Sequence, residues 1–180
     1  MINIMLDLET LATTSNAVIW CLGAVRFDSN GLHDEIRIDI DPDSCEGFGL
    51  VKCPETVEWW ATQSPEARAG MERPGMSLPV ALEHFTRWVN AQGSSDETLV
   101  WGKGACFDCV IATNAYRAIG AVEPWRYYNQ RCYRTIAKIC PEVPFHPPKT
   151  PHDPLEDAVA QAEHLIECYL AMGKIDQIAP

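Results

Sequence analysis

The opening strand constrains the fold more than any other stretch of the chain. In Ile2-Asn3-Ile4-Met5-Leu6-Asp7-Leu8-Glu9-Thr10, apolar Ile2, Ile4, Leu6 and Leu8 recur at every second position, the period of a strand with at least one buried face. Asp7 and Glu9 then point the same way. Two carboxylates on one side of a largely apolar strand repel each other and resist desolvation, so a positive partner belongs between them. Side chains two residues apart on a strand are roughly 6.5 to 7 Å apart at the backbone. That spacing can straddle a pair of divalent ions about 3.5 to 4 Å apart. A surface strand whose outer face carries two acids has the same pattern, and D-x-E alone does not separate the two readings.

With 180 residues, 47% of them hydrophobic, and no Gly/Ser-rich or single-charge linker, the chain reads as one domain, residues 1–180. No apolar run approaches the roughly 20 residues of a bilayer span, and the strand-like start lacks a basic leader. The expectation is a cytoplasmic protein without membrane contact. The eight cysteines, spread through such a chain, read as reduced and mostly buried thiols. A formal net charge of −11 argues against a protein that coats nucleic acid through bulk charge. Local contact with phosphate stays open, because ions bound among acids offset part of that charge.

Along the chain, the β-branched and aromatic run Ala17 to Asp28 predicts a second strand, and Asn30-Gly31 a tight hairpin turn. Ile36, Ile38 and Ile40 alternate with Arg37 and Asp39, the pattern of a half-exposed edge strand ended by Asp41-Pro42-Asp43. From Cys45 to Gly75 helical cover is expected: a helix opened by Pro54 that carries Trp59-Trp60, and a short one around Pro65 to Ala69. Neighbours on a helix are turned by about 100°, so one of the two Trp rings can face a groove, but the expectation is that both pack in a core or under a loop. Val80, Leu82, Phe85, Trp88 and Val89 mark an amphipathic helix over Pro79 to Ala91. A short strand at Leu99-Val100-Trp101, a helix starting near Asp108 and a last short strand at Tyr127-Tyr128-Asn129 follow, then a helix from Arg131 to Cys140. That last segment interleaves Arg126, Arg131, Arg134 and Lys138 with Trp125, Tyr127, Tyr128 and Tyr133, the place to look for phosphate contacts or for charges that simply pair with nearby acids. After a Pro-rich loop a helix runs from Leu155 to about Met172, with His152 before it, Asp157 in its first turn and Gly173 as its stop.

Taken together, Asp7-Leu8-Glu9-Thr10, Trp101-Gly102-Lys103-Gly104-Ala105-Cys106-Phe107-Asp108 and His152-Asp153-Pro154-Leu155-Glu156-Asp157-Ala158 resemble the DEDDh family of 3′-5′ exonucleases. Arg131-Cys132-Tyr133-Arg134-Thr135-Ile136 and the Trp59-Trp60 segment resemble its phage and prophage branch, the exonuclease VIII-like enzymes. The sequence departs from the family pattern at Lys103, Cys132 and Pro154, none of them a ligand or base position. The resemblance implies an α/β, ribonuclease H-like fold: a mixed five-stranded sheet, three antiparallel strands then two shorter ones, flanked by helices. It implies two divalent ions, Mg2+ or Mn2+, held by Asp7, Glu9, Asp108 and Asp157. It makes His152 the general base in hydrolysis of DNA or RNA from the 3′ end, releasing nucleoside 5′-monophosphates. By the same resemblance Thr10 and Leu11 would contact the terminal nucleotide; the basic segment offers Arg131 and Arg134 to the substrate, and a homodimer is left open.

Two other readings use the same residues. Cys106 and Cys109, with Cys132 and Cys140, have the spacing of a zinc or redox site, though no second C-x2-C follows. A catalytically silent nucleic-acid-binding relative would share the fold. Whether the substrate is DNA or RNA is left open.

Overall fold

In the computed structural model, which describes residues 1–104 and 106–180, β1 (Ile2–Thr10) lies at the centre of a five-stranded sheet of order β3-β2-β1-β4-β5. Ala105, within the quoted motif, falls outside the described residues. Strands β2 (Ile19–Asp28) and β3 (Gly31–Asp39) run antiparallel to their neighbours, whereas β4 (Thr98–Gly102) and β5 (Gln130–Cys132) run parallel to β1. This is the mixed sheet that the resemblance implies.

Helices cover both faces, so β1 is buried on both. Ile4, Leu6 and Leu8 pack with Leu82, Phe85 and Val89 of α4 (Leu78–Gln92) and with Ile111 and Ala115 of α5 (Asp108–Ala118). On the opposite face Met5, Val25, Phe27 and Trp101 meet Tyr133 of α6 (Tyr133–Ile139) and Ala158, Ala162, Leu165 and Tyr169 of α7 (Pro154–Ala171). Each fully buried Leu or Phe contributes about 1.5–3 kcal/mol, so the two faces hold the acid-bearing strand rigidly between them. Asp7 sits on the α7 side of this central strand.

One glycine decides how close α7 comes. Gly23 is opposite Asp7 in the β1–β2 register, and a Cβ there would stand 2.2 Å from the carbonyl carbon of Pro154. Only a bare backbone lets the first turn of α7 rest on β2 beside the acids. Asp153 caps that turn, its Oδ1 accepting from the amides of Leu155 and Glu156 at 3.0 and 3.2 Å.

The remaining cover is built from three short helices opened by proline: α1 (Pro42–Glu46), α2 (Pro54–Ala61) and α3 (Pro65–Met71). Several expectations shift. Tyr127–Asn129 is a 3-10 turn, and the last strand is Gln130–Cys132, so Arg131 is a strand residue and α6 starts at Tyr133. The hairpin pairs Asp28 with Gly31, which puts Ser29 and Asn30 at the turn and leaves the positive φ, 127°, to Gly31 alone. Val80 faces solvent, because α4 begins at Leu78 and its buried stripe runs through Leu78, Ala81, Leu82, Phe85 and Val89. Five of the eight cysteines are buried, and among the described residues no helix is long and apolar enough to cross a membrane.

Candidate active site

Three chain segments deliver acids to one place. Asp7 and Glu9 stand on the same side of β1, Asp108 is the first residue of α5, and Asp157 lies in the first turn of α7. One carboxylate oxygen from each of Asp7, Glu9 and Asp157 falls within 4.8 Å of the other two, and among the described residues this is the group of ligating side chains that could hold a metal. Asp108 joins them in lining a cavity of about 260 Å3 together with Lys103, Phe107, Arg134 and His152. Gly102 makes that possible: a Cβ at this position would stand 2.9 Å from Asp108 Oδ2. The other Asp108 oxygen accepts from the backbone amide of Leu8 at 3.2 Å, which ties the start of α5 to β1.

Electrostatics makes the cluster costly without a cation. Burial raises the Asp7 pKa well above the ordinary range, and the nearby carboxylates of Asp108, Glu9 and Asp157 push it further, against one hydrogen bond from Gln161. Burial lifts Asp108 to about 7, opposed by the Leu8 amide, and it also raises Glu9 and Asp157. Four acids that resist ionisation, three of them with hard oxygens that converge, suit a divalent ion that would neutralise them. Lys103 lowers the Glu9 and Asp157 pKa values from the rim but does not offset their burial.

His152 closes one side of the cavity. Its Nδ1 is 3.8 Å from Glu9 Oε1, an ion-pair separation too long for a hydrogen bond, and its backbone amide donates to Asp157 Oδ2 at 2.9 Å. The attraction of Glu9 raises the imidazole pKa against the opposing effect of burial. Trp59 and Trp60 both set their rings edge-on to His152, with centroids 5.1 and 5.8 Å away. Trp60 is buried and donates from Nε1 to the Thr10 carbonyl at 3.0 Å, while Trp59 is exposed and faces a groove, so the two rings do not both pack in the core as expected. That groove, about 640 Å3, opens from the acids across Leu8, Glu9, Thr10, Thr56, Trp59, Phe107 and His152.

Two sequence candidates go elsewhere. Leu11 is a core residue, and what it exposes lines a separate cavity with Trp20 and Arg68 beyond Trp60. Arg131 turns its guanidinium to the carbonyls of Tyr128 and Gln130, at 2.8 and 3.0 Å, and is not among the residues lining the acidic cavity. Both follow from the path of the chain: Leu11 is past the β1 bulge between Glu9 and Thr10, and Arg131 lies on a strand where a helix was expected. Thr10 and Arg134 do reach the two cavities. The cysteines form no cluster of metal-ligating groups among the described residues. Nothing in the sequence marks Gln161 or Gly23, because a mid-helix Gln and a strand Gly carry no local signal of what they touch.

A family model described as the 3′-5′ exoribonuclease Rv2179c-like domain matches residues 2–169. The chain belongs to that family. Membership in this exonuclease family makes the protein a 3′-5′ exonuclease. An exodeoxyribonuclease of Enterobacteria phage T4 is 28% identical over 160 residues, which are 75% of this chain and 70% of the phage protein. Among solved structures, an E. coli exonuclease I complex with single-stranded DNA superposes with a TM-score of 0.67 at 15% identity over 98% of this chain. The chain spans only 42% of exonuclease I. The nuclease domain of 3′hExo, a DEDDh family member bound to rAMP, gives 0.64 at 12% identity and covers 97% of this chain and 94% of that domain. These neighbours share the ribonuclease H-like fold of this chain.

Proposed function

We propose that residues 1–180 form one two-metal 3′-5′ exonuclease domain of the Rv2179c-like family that releases nucleoside 5′-monophosphates from polynucleotide 3′ ends. The observation that carries the reading is the convergence of Asp7, Glu9 and Asp157 oxygens within 4.8 Å in a cavity bordered by His152. Asp7, Glu9, Asp108 and Asp157 would hold Mg2+ or Mn2+. Ions so held supply the positive charge that lets a phosphodiester approach four carboxylates and that offsets charge developing during hydrolysis.

The chain's own groups account for the rest. His152 takes a proton from the attacking water, a role suited to an imidazole 38% exposed at the cavity edge rather than sealed in the core. The groove floored by Leu8 and Thr10 and walled by Trp59 and Phe107 admits the 3′-terminal nucleoside, with apolar surface for the base. Arg134, which lines the acidic cavity, meets the phosphate on its 5′ side.

The family is described by an RNA activity and the T4 relative by a DNA activity, so either sugar is a candidate substrate. The T4 similarity and the Trp59-Trp60 segment also support placement in the phage exonuclease VIII-like branch. Digestion of 3′-labelled single-stranded DNA, duplex DNA and RNA with Mg2+ or Mn2+ tests the reading. Mononucleotide release that EDTA stops and Asp7→Ala abolishes is expected. Metal-independent cleavage, or an active Asp7→Ala protein, overturns it.

A further inference from the structure

His152 is held in an unusual backbone conformation. Its φ of 66° is the one positive value at a non-glycine among the described residues, in a region that a Cβ disfavours. Such a conformation persists only where the surroundings over-determine it. Part of the restraint is the hydrogen bond that its backbone amide donates to Asp157 Oδ2. The next residue, Asp153, supplies more: its amide donates to Thr150 O at 3.2 Å, its Oδ1 caps α7, and its Oδ2 accepts from Arg37 Nη1.

Arg37 reaches this junction from the edge strand β3, 116 positions earlier in the chain. Its side chain is only 10% exposed, and each part of its guanidinium is used. Nε and Nη2 donate to Asp39 Oδ1 at 3.1 and 2.8 Å, and Nη2 also donates to the Gly70 carbonyl of α3 at 2.7 Å. Cys21 Sγ donates to the same Asp39 oxygen at 3.1 Å, which fixes that carboxylate in turn. A planar fork can join three segments in this way, whereas an ammonium at that place is a single point of charge.

We propose that Arg37 is a positioning residue for the hydrolysis: through Asp153 it sets where the His152 ring stands between Glu9 and the two tryptophans. The inference rests on the reading of His152 as the base. Arg37 lines neither the acidic cavity nor the groove, so its effect passes through the His152 loop. The Trp59 and Trp60 rings make that loop observable, because ring currents from aromatic groups at 5.1 and 5.8 Å shift the His152 imidazole signals steeply with position.

The experiment compares wild type with Arg37→Met and Asp153→Asn by NMR of the histidine rings. The chain has five histidines, and the His152 signal is the one missing from His152→Ala. Both substitutions are expected to move that signal while His84 and His146 stay in place, and to lower kcat by about 10- to 100-fold with KM little changed. In a His152→Ala background Arg37→Met should then have no further effect on kcat. An unmoved His152 signal, or an equal loss in both backgrounds, overturns the proposal. If Arg37→Met does not fold, Asp153→Asn decides the matter, since its remaining oxygen still caps α7. Full turnover by His152→Ala would instead remove the base assignment, while the ring signals would still report whether Arg37 positions the loop.

Discussion

The Gln161 side-chain amide donates to the Asp7 carboxylate at 2.8 Å, linking the middle of α7 to the central strand across 154 positions of sequence. Both groups are buried, and the bond leaves Asp7 one orientation toward Glu9 and Asp157. A group that orients a metal ligand typically changes affinity by about 10- to 100-fold when removed. Gln161→Leu is therefore expected to weaken Mn2+ activation by that factor, measured by metal titration of activity, with the fold retained. An unchanged metal requirement would remove Gln161 from the site.

Acids with raised pKa values make the metal-free protein less stable as pH increases. The sign follows from Asp108, whose folded value is about 7 against 3.8 for an unperturbed Asp. Between those values the folded state holds the extra proton, so stability is present at low pH and lost as pH rises through the window. Asp108→Asn should raise the melting temperature of the metal-free protein at pH 8, by about 2–4 °C per kcal/mol relieved. Added Mn2+ should stabilise more at pH 8 than at pH 5, where it competes with protons. Differential scanning fluorimetry in EDTA and in Mn2+ checks both.

Glu9 raises the pKa of His152, so in metal-free protein the imidazole should titrate above the usual value of about 6.5. Bound cations favour the neutral ring and shift that value down. Activity requires the neutral form, and kcat should fall as pH drops through it. NMR titration with and without Mg2+ measures the shift. A kcat that is independent of pH in wild type would contradict a His152 base.

Gly23→Ala places a methyl 2.2 Å from the Pro154 carbonyl carbon, a clash with backbone that no rotamer change relieves. Overpacking of this kind costs about 1–3 kcal/mol, occasionally more. The start of α7 must move away from β2, taking Asp157 and His152 with it. The expected result is a lower melting temperature and a loss of kcat larger than the stability change alone would give at a temperature where the variant is folded.

Arg134 and Arg131, three residues apart, should behave differently. Arg134→Ala removes a cation from the wall of the acidic cavity and is expected to raise KM for oligonucleotides by about tenfold, the scale of one charge-assisted hydrogen bond. Arg131→Ala breaks contacts to its own neighbours' carbonyls and should leave KM unchanged. Equal effects would mean that substrate runs along β5.

What the sequence determined by itself is what depends on near neighbours. The period-two apolar alternation announces β1, the apolar stripe announces α7, and Asp7 and Glu9 on that strand, Asp108 and Asp157 at helix starts and His152 in the loop before one stand out as chemically distinctive. The edge character of β3 was legible for the same reason, since its alternation of Ile with charged residues is local. The tertiary structure alone decided what those residues meet. Leu11 turned into the core and Arg131 onto a strand because a bulge and a shifted boundary rotate side chains, and period alone does not locate either. Gln161, Gly23 and Arg37 were silent in the sequence, because a helix-face amide, a missing side chain and an edge-strand cation acquire their roles only from segments brought beside them. Cooperative packing of α7 on three strands makes those long-range contacts, and it turns a set of dispersed acids into one electrostatic site.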